Sequence, residues 1–517
     1  MINGQIFESY KPLRNHLRQL SLRDSLYVLW GYIQHLQFNN SIPNDIDVPL
    51  EVALAKNKIA KQFYEWELEV LMREVIINAQ ESNFARKTLR KWGYFAGAVN
   101  KLKNLENEIS RRFIDTTNIL TELHRIAHRQ FPWQSRLSKE YITRYFKIFD
   151  SIPLSNIIHN VIGLSTQELY LVGMLFFGFY INHFALIPPI NIKDIPEVTQ
   201  ENLEKFLNRF SCDLANLKKR LIEEQEINEK FAYSYSSLRA YPITRIQHQD
   251  RDNLVCPAPT LLAWRLTNGI YYEIRNEKDF DIEFGKSFQN YVGEVTGTGN
   301  KKINIYPEEE YYAGKNRKDT VDWIAADGES VLFVECKAKR ITVPAKTEIR
   351  SEEELKKELD TMVDFIIQTY KNIADYYDNK YPSFKYMENK AIFPLIVTLE
   401  DWYLFGDKLV NELRGRVKEK FKTSNLPHIW LSEAPYSVCS VQEFEAMVQI
   451  MEKVGIKTFM GRKVYDQDKE KWMFFSFMKS EFPEENKTIR LLFPNDFDAI
   501  FPKRLFDQYP NLSHSRS

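Results

Sequence analysis

Residues 314 to 346 read GKNRKDTVDWIAADGESVLFVECKAKRITVPAK, and the fold of the second half of the chain can be predicted outward from them. Two short runs of apolar and β-branched residues, at positions 321 to 325 and 331 to 334, stand on either side of Asp327-Gly328. An Asp-Gly pair favours a tight hairpin turn because both residues tolerate positive φ angles. The stretch therefore predicts a strand, a turn and a second strand.

Three ionisable side chains belong to the predicted hairpin. Asp322 lies on the first strand, and Glu335 and Lys337 end the second. Because successive side chains of a strand point to opposite faces, Glu335 and Lys337 share a face. Carboxylate oxygens are the ligands that Mg²⁺ prefers, and a lysine can stabilise the charge that develops on a phosphate. We therefore predict that Asp322 and Glu335 bind a metal ion and that all three residues are catalytic.

The order Asp322, then Glu335-Cys336-Lys337 across a hairpin, resembles the signature of the PD-(D/E)xK nuclease superfamily, with Val321 in place of the proline that names it. The resemblance covers about residues 240 to 450. It implies a restriction-endonuclease-like α/β domain with a mixed central sheet. It also implies a nuclease that depends on Mg²⁺ or Mn²⁺, with DNA as the expected substrate and a bacterial anti-phage defence or restriction role by analogy.

The resemblance further implies a glutamate on the helix before the aspartate strand, often in the setting aromatic-Glu-x-Tyr. This chain has Phe288-Gln289-Asn290-Tyr291, so Gln289 takes the place of that acid. Glu283 and Glu294, on neighbouring turns, are the candidate substitutes. The resemblance therefore implies a site helix whose acidic ligand differs from the usual one.

Polar residues after the hairpin are candidates for further roles at the site. Gln368 and Lys371 share one face of a predicted helix over residues 352 to 377, where they either reach the site or face solvent. Three cations follow the second strand closely, as a phosphate-binding rim requires. These candidate nucleic-acid-binding residues are Lys339, Arg340 and Lys346.

The composition excludes several classes of protein. Lysine plus arginine equals aspartate plus glutamate at 70 each, so nucleic-acid binding must depend on local patches rather than on net charge. The four cysteines are far apart in the sequence, which argues against a zinc site and a disulfide framework. The first twenty residues lack a signal-peptide pattern. We therefore expect a cytoplasmic protein.

The first half of the chain has the helical spacing of apolar residues and few glycines, while prolines and strand-like runs begin near residue 240. We predict an α-helical domain over residues 1 to 240, which binds substrate, a partner protein or a second copy of the chain. Residues 241 to 517 form the nuclease-like α/β domain with a C-terminal extension. Within it, residues 270 to 274 are predicted to be extended, and 391 to 399 to form a central strand covered on both faces.

Residues 169 to 187 are almost wholly apolar and about long enough to span a bilayer. The run Ser165-Thr166-Gln167-Glu168 before them is a capping box typical of soluble helices, and no cluster of Lys or Arg flanks either end. We therefore predict a buried helix and no membrane contact. A membrane-attached sensor is the alternative for this segment. For the whole chain, the alternative to an enzyme is a catalytically silent nucleic-acid-binding or scaffold protein, in which Gln289 marks a decayed site.

Overall fold

The computed structural model describes residues 2–53, 62–81, 87–115, 118–135, 137–248, 251–298, 302–349 and 352–503. The chain forms two compact units. Unit 1 comprises the residues up to Phe280 together with those from Asn495 on, and unit 2 comprises Asp281–Pro494. The fold is therefore a mainly helical unit and an α/β unit.

Unit 1 contains mostly amphipathic helices. Their bounds are Ile2–Leu17, Leu22–Phe38, Leu50–Ala53, Glu65–Asn78, Trp92–Phe113, Ile119–Gln134, Lys139–Phe149, Ile152–Ile162, Thr166–Asn182, Gln200–Phe210, Leu214–Glu224, Pro259–Leu266 and Ile270–Ile274. A further helix, Pro494–Ala499, lies where the chain returns to unit 1. Their apolar faces meet in a core of leucine, isoleucine and aromatic side chains.

Four short strands form a sheet in unit 1: β1 (Ala185–Leu186), β2 (Ser211–Asp213), β3 (Ile243–His248) and β4 (Arg251–Val255). Their order across the sheet is β1-β4-β3-β2. The prediction that residues 1 to 240 are purely helical misses β1 and β2. Because these strands pair with β3 and β4, residues 241 to 280 belong to unit 1, and the structure divides the chain at Phe280 rather than near residue 240.

The apolar segment begins with the predicted capping box: Ser165 N–H donates to Glu168 at 2.8 Å, and Glu168 N–H donates to Ser165 Oγ at 3.3 Å. The helix is largely buried, but it ends at Asn182 rather than Ile187 because the chain turns there into β1. Among the described residues, no single helix is long and apolar enough to cross a membrane. The helices Ile152–Ile162 and Thr166–Asn182, bent by 64°, meet that test only as a pair.

Among its described residues, unit 2 has the strands β5 (Asn304–Pro307), β6 (Glu310–Ala313), β7 (Asn316–Asp319), β8 (Trp323–Ala326), β9 (Ser330–Lys337), β10 (Ala391–Thr398) and β11 (Ser437–Ser440). Five of them form a mixed sheet at the centre of the unit, in the order β11-β10-β9-β8-β5. β5, β8 and β9 are antiparallel neighbours, while β9, β10 and β11 are parallel. β6 and β7 form a separate two-stranded hairpin. The predicted mixed sheet is confirmed, and β10 is a buried interior strand as predicted, but it lies next to the edge strand β11 and β9 takes the central place.

Helices connect and cover these strands. Their bounds are Phe280–Gly297, Val343–Thr347, Glu353–Tyr377, Asp407–Thr423, Trp430–Glu433, Val441–Val454, Ile456–Val464, Phe474–Glu481 and Pro483–Asn486, with a 3₁₀ turn at Lys469–Lys471. In the sheet, Thr398 is paired with Lys337 on one side and with Ser440 on the other. The carboxyl ends of the three parallel strands therefore meet at one edge.

The predicted hairpin forms, but its turn is not the tight two-residue turn that the Asp-Gly pair suggested. Neither Asp327 nor Gly328 has a positive φ, and three residues connect Ala326 to Ser330. The Asp327 carboxylate accepts hydrogen bonds from the backbone N–H groups of Glu329 and Ser330, at 2.9 and 2.8 Å. A side-chain cap therefore shapes this turn instead of glycine's conformational freedom.

Residues 270 to 274, which were predicted to be extended, form the short helix Ile270–Ile274. The run IYYEI has strand propensity, but Ile270 and Ile274 are one helical turn apart and both are buried. Packing of these two side chains therefore outweighs the local preference for an extended strand.

Candidate active site at the sheet edge

Asp322, Glu335 and Lys337, here called the sheet-edge triad, converge where β8 begins and β9 ends. Trp323 is paired with Val334, so the preceding residue, Asp322, lies beside Glu335. The backbone N–H of Cys336 donates to Asp322 Oδ2 at 2.5 Å. Lys337 Nζ donates to Glu335 Oε1 at 2.7 Å. The sheet thus places two carboxylates and an ammonium group within one local network.

The charged forms of the two carboxylates of the triad are disfavoured by their surroundings. Burial, with the charge on Glu335, raises the pKa of Asp322 to about 7, although the N–H of Cys336 and the cation of Lys337 act to lower it. Burial also raises the pKa of Glu335, whose residue is only 3% exposed. One lysine therefore does not compensate two carboxylates that have lost much of their hydration.

Lys337 has three neighbours that fix its ammonium group. Besides Glu335, it donates to Gln368 Oε1 at 3.3 Å and lies 4.9 Å from the centre of the Phe365 ring. The structure therefore brings Gln368 to the triad through Lys337. Lys371, three residues further along the same helix, is exposed.

An additional carboxylate, which the sequence did not single out, faces the triad. Glu308 follows β5 directly; its backbone N–H donates to the carbonyl oxygen of Asp322 at 2.9 Å. Its negative charge contributes to the raised pKa values of both Asp322 and Glu335. The only sequence signal was the run of three glutamates at positions 308 to 310 after a short strand.

Gln289, on the helix Phe280–Gly297, reaches this additional carboxylate. Its Nε2 atom donates to Glu308 Oε2 at 3.0 Å. The helix position at which the resemblance implies an acid therefore carries the amide of Gln289. That amide binds the carboxylate of Glu308, which follows β5.

Glu283 and Glu294 lie on other faces of the same helix. At about 100° per residue, each is turned by roughly 120° to 140° from Gln289 around the helix axis. Glu283 forms an ion pair with Lys286 at 3.3 Å, and Glu294 is exposed. Helical geometry therefore turns both proposed substitutes away from the face of Gln289.

Trp323 fixes this helix against the start of β8. Its Nε1 donates to the carbonyl oxygen of Gln289 at 2.8 Å. Its ring occupies the space beside Gly293 that any Cβ atom would need. Because Trp323 follows Asp322 directly, this contact also sets the position of the first carboxylate.

The three candidate nucleic-acid-binding cations each contact a carboxylate. Lys339 pairs with Glu358 at 3.2 Å, while Arg340 and Lys346 pair with Glu400 at 3.3 and 2.8 Å. Arg340 and Lys346 are mostly buried, with 9% and 19% of their side chains exposed. In this arrangement Arg340 and Lys346 tie the segment after β9 to the end of β10, and their charge is largely neutralised.

The oxygen donors of the triad fit a hard divalent cation. Mg²⁺ is commonly bound by one or two carboxylates, with water and phosphate oxygens completing the coordination. Asp322 and Glu335 supply such a pair. Within the described ranges, no group of three or more His, Cys, Asp or Glu side chains is arranged to hold a metal ion by itself.

A cavity of about 440 Å³ lies near the carboxyl ends of β10 and β11, and the triad does not line it. Two buried ionisable groups in its wall serve the fold. Glu443 accepts from the backbone N–H groups of Ser440 and Phe474, at 3.1 and 2.9 Å. Lys463 donates to the carbonyl oxygens of Lys469 and Glu470, and burial lowers its pKa to about 8. These two groups of the cavity wall therefore hold backbone groups of the fold in place.

No family model matches the chain, and neither the curated proteins nor the solved structures contain a significant match to it.

Proposed function

We propose that unit 2 is a Mg²⁺-dependent nuclease with a restriction-endonuclease-like fold, which hydrolyses phosphodiester bonds in DNA. The observation that carries the proposal is the convergence of Asp322, Glu335 and Lys337 at one end of the β8–β9 hairpin. Mn²⁺ would substitute for Mg²⁺, since both favour carboxylate oxygens. Two carboxylates with one positioned cation suit the stabilisation of negative charge on phosphate.

Each member of the triad has a separate role in this proposal. Asp322 and Glu335 hold the divalent cation. When bound, that cation stabilises charge on the phosphate as a Lewis acid and makes a coordinated water more acidic. Lys337, held in place by Glu335 and Gln368, directs a fixed positive charge at the same phosphate.

Glu308 and Gln289 support the triad from outside the β8–β9 hairpin. The Glu308 backbone holds Asp322 in place, and its carboxylate adds to the negative potential that attracts a cation. Gln289 fixes the orientation of that carboxylate. Glu308 would thus compensate for the acid that the helix lacks.

The rest of the chain would serve the reaction from outside the triad. Unit 1 would recognise substrate, a partner protein or a second copy, in the cytoplasm. A role in bacterial anti-phage defence or restriction follows by analogy with the superfamily that the hairpin resembles.

A catalytically silent nucleic-acid-binding or scaffold protein is the second candidate. As a scaffold rather than a binder of nucleic acid, it is favoured by one observation, the pairing of Lys339, Arg340 and Lys346 with carboxylates, which leaves little charge for a phosphate-binding rim.

Cleavage assays separate the two candidates. The purified protein is incubated with plasmid, linear duplex DNA, single-stranded DNA and RNA, in Mg²⁺, Mn²⁺ or EDTA. The proposal predicts cleavage of a DNA substrate in Mg²⁺ or Mn²⁺ and none in EDTA. Binding without cleavage in either metal would favour the silent protein.

A further inference from the structure

The hairpin β6–β7 interrupts the chain between two residues of the site. The chain leaves the candidate site after Glu308 and returns to it at Asp322. A backbone hydrogen bond of 2.9 Å joins these two residues. One step further out, Thr320 N–H donates to the carbonyl oxygen of Glu309 at 3.1 Å. The hairpin therefore starts at the sheet-edge triad and has a closed base.

One face of this hairpin is anchored to the helix Glu353–Tyr377. Tyr311 is 3% exposed, and its hydroxyl donates to Asp375 Oδ2 at 2.7 Å. Its cross-strand partner Lys318 donates to the same oxygen at 2.5 Å. Both side chains are therefore committed to holding the hairpin in place.

The opposite face carries an exposed aromatic ring beside cations. Strand alternation turns Tyr312 outward, where 66% of the residue is exposed. Arg317 is its direct cross-strand partner, with 65% of the side chain exposed, and Lys315 is exposed in the turn. The same face carries the exposed pair Glu310 and Asp319 nearer the base of the hairpin, so its cationic part is the outer end. Arg317 contacts Glu310 at 2.7 Å, an exposed pair that contributes little to stability and can exchange for a phosphate.

The geometry points to this outer face as a contact for a single-stranded segment of nucleic acid next to the scissile phosphate. An exposed tyrosine ring offers a stacking surface for an unpaired base, and the neighbouring arginine and lysine suit its backbone phosphates. Bases in an intact duplex are already stacked, so an unpaired segment fits this face. The inference builds on the proposed nuclease function, because it names the form of nucleic acid that the triad acts on.

Binding measured in EDTA tests this inference without cleavage. Fluorescence anisotropy compares the full-length parent and variants on labelled single-stranded DNA, the matching RNA and the matching duplex. Tyr312→Ala should weaken binding to single strands about tenfold or more, while Tyr312→Phe, which keeps the ring, should bind like the parent. The DNA and RNA arms distinguish the two sources of an unpaired base.

The cations have a matched control. Arg317→Ala should weaken binding and lower the slope of log affinity against log salt by about one. Lys457, 53% exposed beside Glu329 at the opposite edge of the sheet, should be replaceable by alanine without effect. Single-strand affinity unchanged in both Tyr312→Ala and Arg317→Ala overturns the inference, as does a loss confined to the duplex.

Failure of the proposed function and failure of this inference give different results. A parent that binds single strands through Tyr312 but cleaves nothing in Mg²⁺ overturns the nuclease and leaves the inference standing. A parent that cleaves DNA, with both Tyr312→Ala and Arg317→Ala binding single strands normally, overturns the inference alone.

Discussion

Gln289 donates a hydrogen bond to Glu308, with 3.0 Å between Nε2 and Oε2. The amide comes from a helix and the carboxylate from the end of β5, two elements that meet at the sheet-edge triad. The Glu308 carboxylate therefore depends on a neutral partner for its orientation. An exchange of the two side chains tests whether the proposed activity needs only one carboxylate in this pair, or needs it at position 308.

Gln289→Glu alone should lower kcat/KM about tenfold, because it places two carboxylates against each other, and a loss of about 1.4 kcal/mol of transition-state stabilisation has that effect. Gln289→Glu with Glu308→Gln should recover most of the loss, since the hydrogen bond returns with its donor and acceptor reversed. The measurements are cleavage rate and the Mg²⁺ concentration for half-maximal rate. A double variant no better than the single one would show that the carboxylate must come from the strand side.

Asp322→Ala, Glu335→Ala and Lys337→Ala should each reduce phosphodiester cleavage by about a hundredfold or more, because each removes a group directed at the metal ion or the phosphate. A double variant should be hardly worse than either single one, since the groups act as a unit. Calorimetric titration with Mg²⁺ separates their roles: the carboxylate variants should bind weakly, and Lys337→Ala nearly normally. Parent-like cleavage by all three variants would mean that the hairpin is purely structural.

Gly293→Ala should destabilise unit 2 by roughly 1 to 3 kcal/mol, because the new methyl group meets the Trp323 ring and overpacked sites relax at about that cost. Gly285→Ala is the matched control on the same helix, with no atom within 4 Å of the added Cβ. That control should be neutral or slightly stabilising, because alanine favours helix. Denaturant unfolding of both variants gives the comparison, and equal stabilities would contradict the close packing of Trp323.

Lys463 should make stability depend on pH in the alkaline range. Burial lowers its pKa from 10.5 to about 8, so between these values the unfolded chain holds a proton that the folded chain has lost. Stability therefore rises with pH across this window, by on the order of 1 to 3 kcal/mol. Lys463→Met removes this rise, and the check is the difference between the unfolding curves of the two proteins at the two ends of the window.

The convergence of the triad could be predicted because it depends on local rules. Strand alternation places Glu335 and Lys337 on one face, and a hairpin brings Asp322 beside them whatever the type of turn. The mixed sheet and its buried strand β10 could be predicted from the length and continuity of the apolar runs, although the place of β10 beside the edge strand could not.

Pairing between distant residues could not be predicted. Glu400 follows β10, more than fifty residues after Arg340 and Lys346, and only the parallel register of β9 and β10 brings it to them. Glu308 was missed for the same reason, since its position depends on how β5 pairs with β8 across an inserted hairpin. Local sequence shows which charges exist, but not which of them neutralise each other.

The closed base of the β6–β7 hairpin makes it a modular insertion. Hydrogen bonds between Glu308 and Asp322 and between Glu309 and Thr320 join the two chain segments at the base of the hairpin. The arrangement of the sheet-edge triad therefore does not depend on the length of the turn at Gly314 and Lys315. Exposed loop tips on a rigid scaffold tolerate insertion and exchange. A different tip could therefore be grafted there while the sheet-edge triad keeps its arrangement.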